Sequence, residues 1–153
     1  MKYLYILLAI AAIALIIGAC KSSKKSTSAA SAKTPTIELT KGKCYGKCKT
    51  YTFSLYEDHS AAFVGVKNVD YVGAHHAQIS ANVYNEIVDQ LTEADVESMD
   101  NEYLSNARDL AELKLTFNGK TIRFQNRKAP AALREIVAML DEIAFAQAWE
   151  TNK

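Results

Sequence analysis

Cys44 and Cys48, four apart in the run KGKCYGKCKTYTF, are the residues of this 153-residue chain whose type and spacing offer the most chemistry. Lys41, Lys43, Lys47 and Lys49 surround them. Thiols so placed can close a disulfide, act as a reactive pair, or hold a metal, and each use asks for different company. The lysines favour a reactive pair, because nearby positive charge stabilises thiolate. Against it, the spacing is not the Cys-x-x-Cys of thioredoxin-like enzymes, and no strand-to-helix pattern follows. A metal site needs two more ligands, and imidazole comes only from His59, His75 and His76. His75 and His76 are adjacent, so in extended backbone they point to opposite sides. A disulfide needs an oxidising compartment, which moves the question to where the chain resides.

The N-terminus, MKYLYILLAIAAIALIIGAC, has one lysine, a long apolar run and small residues before a cysteine. This order reads as a secretory signal peptide over residues 1–19. Left uncleaved, the same segment would be an anchor helix and would leave the rest of the chain on the same side of the membrane. Ile17-Gly18-Ala19-Cys20 resembles the lipobox of bacterial lipoproteins, in which the cysteine is lipidated and becomes the new N-terminus. The resemblance implies lipid on Cys20 and an anchor in a membrane of the bacterial cell envelope, inner or outer. With Cys20 so used, Cys44 and Cys48 remain as an even pair. In an oxidising envelope such a pair most often forms a disulfide. Thiol-redox and metal-handling uses stay open beside it. A loop of five residues restricts the unfolded chain little, so the bond contributes only about 2 kcal/mol.

Removing residues 1–19 takes away Lys2, leaving 18 − 1 = 17 basic against 17 acidic residues. Nucleic acid favours a clearly basic surface, so this balance gives no reason to expect it as a partner. Residues 20–36, beginning with the lipidated Cys20 and KSSKKSTSAASAKTPT, hold no large apolar side chain up to Thr36. They read as a flexible tether with a typical span of roughly 20 Å to 25 Å.

The remaining residues, 37–153, are the size of one domain. Tyr51 to Leu55 and Leu113 to Phe117 alternate apolar with polar, the period of a half-buried strand. Asn118-Gly119 follows the second run directly, and Asn-Gly between alternating runs is the strongest short hairpin signal. A two-residue turn there pairs Leu115 with Ile122, Leu113 with Phe124, Thr116 with Thr121, and Lys114 with Arg123. The same arithmetic about Asp58-His59 pairs Leu55 with Ala62, Phe53 with Val64 and Tyr51 with Val66. Further strands are expected at about 36–40 and 68–72. Ser80 should cap a helix with Tyr84, Ile87, Val88 and Leu91 on one face, and Ile79 placed to close a hydrophobic staple. A last helix should open at Pro130 and carry Leu133, Ile136, Val137, Leu140 and Ile143, with Trp149 near its end. The fold class is α+β: one antiparallel sheet built from hairpins, covered by two helices.

Other candidate sites are weaker. Glu93, Asp95, Glu97, Asp100 and Glu102 form an acidic stretch that lacks the glycine turn and ligand spacing of a calcium loop, and reads as a solvated helix end. The alternative is that it faces the lysines around Cys44. Tyr45, Tyr56, Tyr71 and Tyr103 read as edge-of-core residues that can also line a binding surface. No Gly-x-Ser-x-Gly elbow or glycine-rich phosphate loop occurs in the sequence, and no catalytic residue or cofactor is implied.

Cys44-Tyr45-Gly46-Lys47-Cys48 with Tyr51, Asp58 at a turn, Gly73 after a strand, and Pro130 with Leu133 resembles a family of small bacterial envelope lipoproteins catalogued as a domain of unknown function. The resemblance runs from about 38 to 145. The family tends to carry proline where this chain has Lys49 and glycine where it has His59. It supports the domain boundary and implies no activity. The expected function is therefore a membrane-anchored lipoprotein with a non-catalytic binding or structural domain, meeting an envelope protein partner. The alternative is a thiol-redox or metal-handling lipoprotein centred on Cys44 and Cys48.

Overall fold

The structure, a computed structural model, describes residues 33–151. The signal-peptide and lipidation expectations, residues 1–19 and Cys20, lie outside the described residues, as does the tether up to residue 32. From Lys33 onward the chain runs to Thr36, whose N–H donates to Leu55 O at 2.9 Å and whose carbonyl accepts from Asn118 N. Strands follow at Ile37–Lys41 (β1), Thr50–Leu55 (β2), Ser60–Lys67 (β3) and Gly73–Gln78 (β4). Helix α1 spans Ala81–Glu93, and a 3₁₀ turn covers Val96–Ser98. Then come Glu102–Tyr103 (β5), Leu113–Phe117 (β6), Lys120–Phe124 (β7), helix α2 at Ala131–Ala146, and Glu150–Thr151 (β8).

The strands make one sheet in the order β5-β7-β6-β1-β2-β3-β4-β8. All pairs are antiparallel except β5 with β7, so the fold is α+β as the sequence pattern predicts. Alternation sets the two faces apart. Ile37, Leu39, Phe53, Phe63, Leu115 and Ile122 are buried with the apolar stripes of both helices in a single core. Glu38, Thr40, Thr52 and Thr116 line the other face and stay half-exposed. Among the described residues, no helix is long and apolar enough to cross a membrane.

The β6–β7 hairpin has the predicted register at every pair named above. Asn118 at φ 48° and Gly119 at φ 83° supply the two positive dihedrals a type I′ turn requires. The β2–β3 hairpin differs by one residue: Phe53 faces Phe63, Leu55 faces Ala61 and Tyr51 faces Gly65. The loop is three residues long, not two. His59 N–H closes a turn onto Tyr56 O at 2.9 Å, and His59 itself sits in the left-handed region at φ 62°. A turn followed by a left-handed residue is the usual three-residue hairpin connection. The shift matters because a slip of one turns every side chain to the other face. Phe53 thereby meets a buried partner instead of Val64, which is 44% exposed.

The strand expected at 68–72 is also displaced. Residues 68–72 form a loop, and β4 begins at Gly73. Asn68 turns the chain at φ 57°, and Tyr71 then crosses the core side of the sheet at Gly65. The true strand reads GAHHAQ, with no β-branched residue to mark it.

Both helices form as expected, with small shifts at their ends. The Ser80 hydroxyl accepts from Val83 N at 3.2 Å, capping α1, and Tyr84, Ile87 and Leu91 are buried. Pro130 is the cap of α2 and not its first helical residue. Leu133, Ile136, Val137 and Leu140 are buried, but the stripe ends on Ala144, leaving Ile143 only half-buried. Trp149 lies beyond the helix, packs edge-on to Phe53, and donates its indole N–H to Ala144 O at 2.8 Å.

Candidate functional site

Residues 42–49 join β1 to β2 and carry both cysteines of the domain. Two neighbouring segments hold this loop, the stretch between β5 and β6 and the one between β3 and β4. Gly42 N–H donates to Glu112 O at 2.8 Å, Tyr45 N–H donates to Asp109 O at 3.1 Å, and Asn68 Nδ2 donates to Cys48 O at 2.8 Å. Within the loop Gly46 N–H donates to Cys44 O at 3.0 Å. The two sulfurs lie at bonding distance, and the Cα atoms are 5.9 Å apart, within the range a disulfide spans. Both cysteines are half-buried, while Tyr45 between them is 93% exposed. The arrangement presents an aromatic ring on a short, cross-linked projection.

The lysines around it have different neighbours. Lys41 donates to Asp141 Oδ2 at 2.6 Å. Lys49 sits over the Phe145 ring, 3.6 Å from its centroid. Lys43, Lys47 and Lys67 have no carboxylate partner among the described ion pairs. Lys43 and Lys67, with Thr50, Asn68 and both cysteines, line an open depression of about 150 Å³. It presents two ammonium groups beside the sulfurs.

Just beneath the loop, Tyr51 donates its hydroxyl hydrogen to Asp141 Oδ1, so one carboxylate of α2 receives both Tyr51 and Lys41. Burial, then the Asp141 carboxylate, pushes the Tyr51 hydroxyl well above the ordinary tyrosine range. The phenol therefore stays neutral and donates. Tyr51 also stacks on Phe63 and meets Phe145 edge-on, which locks the start of β2 onto α2. The sequence carried a signal for this contact: Asp141 follows Val137 by four and precedes Ala144 by three, an acid set in an apolar helical stripe.

The structure does not bring the remaining candidates together with the cysteines. His59 sits in the β2–β3 turn at the far end of the sheet, 5.0 Å from the Tyr84 ring. His75 is buried, with Nε2 3.0 Å from Val72 O, and His76 points the other way toward Glu150 at 3.5 Å. Among the described residues no three His, Cys, Asp or Glu side chains cluster as metal ligands. Among the described ion pairs, none joins the acidic stretch to Lys41, Lys43, Lys47 or Lys49. Within the stretch Glu97 accepts from Asn118 Nδ2 at 3.1 Å, and Glu102 pairs with Arg123 at 2.7 Å. Arg123 is held charged by Glu112 first and Glu102 second. Lys114, opposite it, has Glu38 at 3.7 Å, so acids from three other segments offset the like-charge pair.

Sequence reasoning named Tyr45 and Tyr71 as residues that can line a binding surface, but missed the exposed Val64, Val66 and Val72 at the same end of the sheet. The shifted hairpin register hid the first two, and the misplaced strand hid Val72.

No curated protein matches the chain. A family match does cover residues 35–144, most of the described domain, and the chain accordingly belongs to the family DUF6438, a domain of unknown function.

Proposed function

We propose that this protein is a lipoprotein of the bacterial cell envelope, held to its membrane by lipid on Cys20, with a non-catalytic domain that binds or supports another envelope component. The observation that carries the reading is an order in the chain. A lipobox cysteine at position 20 is followed by a lysine- and serine-rich stretch, and the sheet and its whole core then begin at Ile37. The placement of the cysteines supports it too. Cys44 and Cys48 face each other across one turn of loop, as a local cross-link requires. In this reading they are oxidised and serve to fix the Tyr45 projection.

The test is a Cys20→Ala variant expressed in the native host with radiolabelled fatty acid. Loss of label and accumulation of a longer, unprocessed chain support the anchor. A variant that still takes up label and is processed normally would overturn it.

A second reading keeps Cys44 and Cys48 as a thiol-redox pair. Its support is the open depression that both cysteines line together with Lys43 and Lys67. Alkylation of both cysteines in the native protein, before any reductant, would favour this reading over the cross-link.

A further inference from the structure

We infer that the Cys44 end of the domain is a docking surface for an anionic lipid bilayer. The inference rests on the lipoprotein reading only for how the protein reaches a membrane. Two independent features converge there. First, the large hydrophobic side chains exposed among the described residues are Tyr45, Val64, Val66, Tyr71 and Val72. Each belongs to the cysteine loop, to the adjoining half of β3, or to the loop after it. Second, Lys43, Lys47, Lys49 and Lys67 occupy the same end without a carboxylate partner among the described ion pairs.

Acids are present too: Asp70 follows Lys67 in its loop, and Asp109, next to Arg108, lends its carbonyl to Tyr45. Asp141 is already occupied by Lys41 and Tyr51. Five basic side chains against two free acids leave the surface basic. The two loops are joined by the Asn68 to Cys48 hydrogen bond, which sets Tyr45, Tyr71 and Val72 with the lysines at one end of the sheet, while Val64 and Val66 project from the outer face of β3 at that end.

Apolar and aromatic tips at the same end as unpaired lysines match the two layers of a membrane surface. Tyrosine and valine enter the boundary between headgroups and acyl chains, and the ammonium groups reach the phosphates. An acidic protein would satisfy the lysines, but gives no reason for valines and tyrosines to be exposed with them. Reach is sufficient. The described chain starts beside Asp58 and Ser60, at the opposite end of β2, roughly 20 Å away. The stretch from Cys20 to Lys33 can extend to about 45 Å. Docking would lay the domain on its own membrane.

The test uses the full lipidated chain carrying Tyr45→Trp, reconstituted into vesicles with brominated acyl chains. One set is phosphatidylcholine alone, the other equal parts phosphatidylcholine and phosphatidylglycerol. Flotation of the vesicles reports the anchor separately. The unsubstituted chain gives the background from Trp149, which is buried. The expected result is that fluorescence at position 45 falls by about half in the anionic vesicles alone, as for a ring at the headgroup boundary. Adding Lys43→Glu, Lys47→Glu and Lys67→Glu should lower the docked fraction about tenfold. Flotation with no quenching in anionic vesicles overturns the docking surface while the anchor stands, and leaves an acidic protein as the occupant. Quenching without stable flotation keeps the docking surface and overturns the anchor. Absence of both overturns both.

Discussion

At the scale of single residues, the contact that fixes the candidate site is the Asp141 carboxylate, which receives the Tyr51 hydroxyl and the Lys41 ammonium together. Asp141→Ala leaves a buried hydroxyl and a largely buried ammonium without a partner, and should lower stability by about 2 to 3 kcal/mol in urea unfolding. Adding Tyr51→Phe should recover part of that loss, because the orphaned hydroxyl is gone. The same hydroxyl gives a pH dependence. Its pKa is raised in the folded protein, so its contribution is complete below the unfolded tyrosine value near 10 and is lost as pH rises beyond it. Thermal unfolding should therefore shift to lower temperature above about pH 10, and by less in Tyr51→Phe than in the unsubstituted protein. Equal shifts would remove Tyr51 from the account. A reading of local pattern exposes Asp141 as an acid within an apolar stripe, but not its partners, which lie 90 and 100 positions away in sequence.

Among the elements, the two hairpins show what sequence pattern can fix. Asn118-Gly119 states its own turn type, and the register follows residue by residue. The β2–β3 turn has no such signature, because His59 takes the left-handed position that glycine would advertise. A β-branched residue tolerates that conformation poorly, so His59→Val should cost about 1 to 2 kcal/mol, while His59→Gly should stay within about 1 kcal/mol of the unsubstituted protein. Matching losses from both would mean that the His59 contact with Tyr84 matters more than the dihedral. Gly65 is a second test. The Tyr71 carbonyl and the Val69 side chain fill the space where its Cβ would stand. Gly65→Ala should destabilise by about 1 to 3 kcal/mol and displace the 68–72 loop, seen as amide shift changes reaching Asn68 and Cys48. Silence in those signals would contradict the crossing. That crossing takes residues 68–72 out of the strand, and the strand that follows, GAHHAQ, has no β-branched residue to mark it, which explains why sequence periodicity misplaced it.

For the whole molecule, the α+β class, both helices and most of the core were legible, since each rests on a period of two or 3.6 within one stretch. The short strands β5 and β8 were not, being two residues each and defined wholly by the neighbours they pair with. The proposal that the chain belongs to the envelope rests on a different kind of signal, the order of residues 1–36 along the sequence. It joins the structure at one point, the assignment of three cysteines to two roles. In the proposed reading lipid takes Cys20, and Cys44 with Cys48 close the loop that presents Tyr45. The most direct measurement is the intact mass of the protein purified from its own membranes, alkylated before and after reduction. The account predicts a chain beginning at Cys20 with added lipid, unaltered by alkylation until reduction exposes two thiols. A mass that retains residues 1–19 without lipid, or two alkylations with no reductant present, would contradict it.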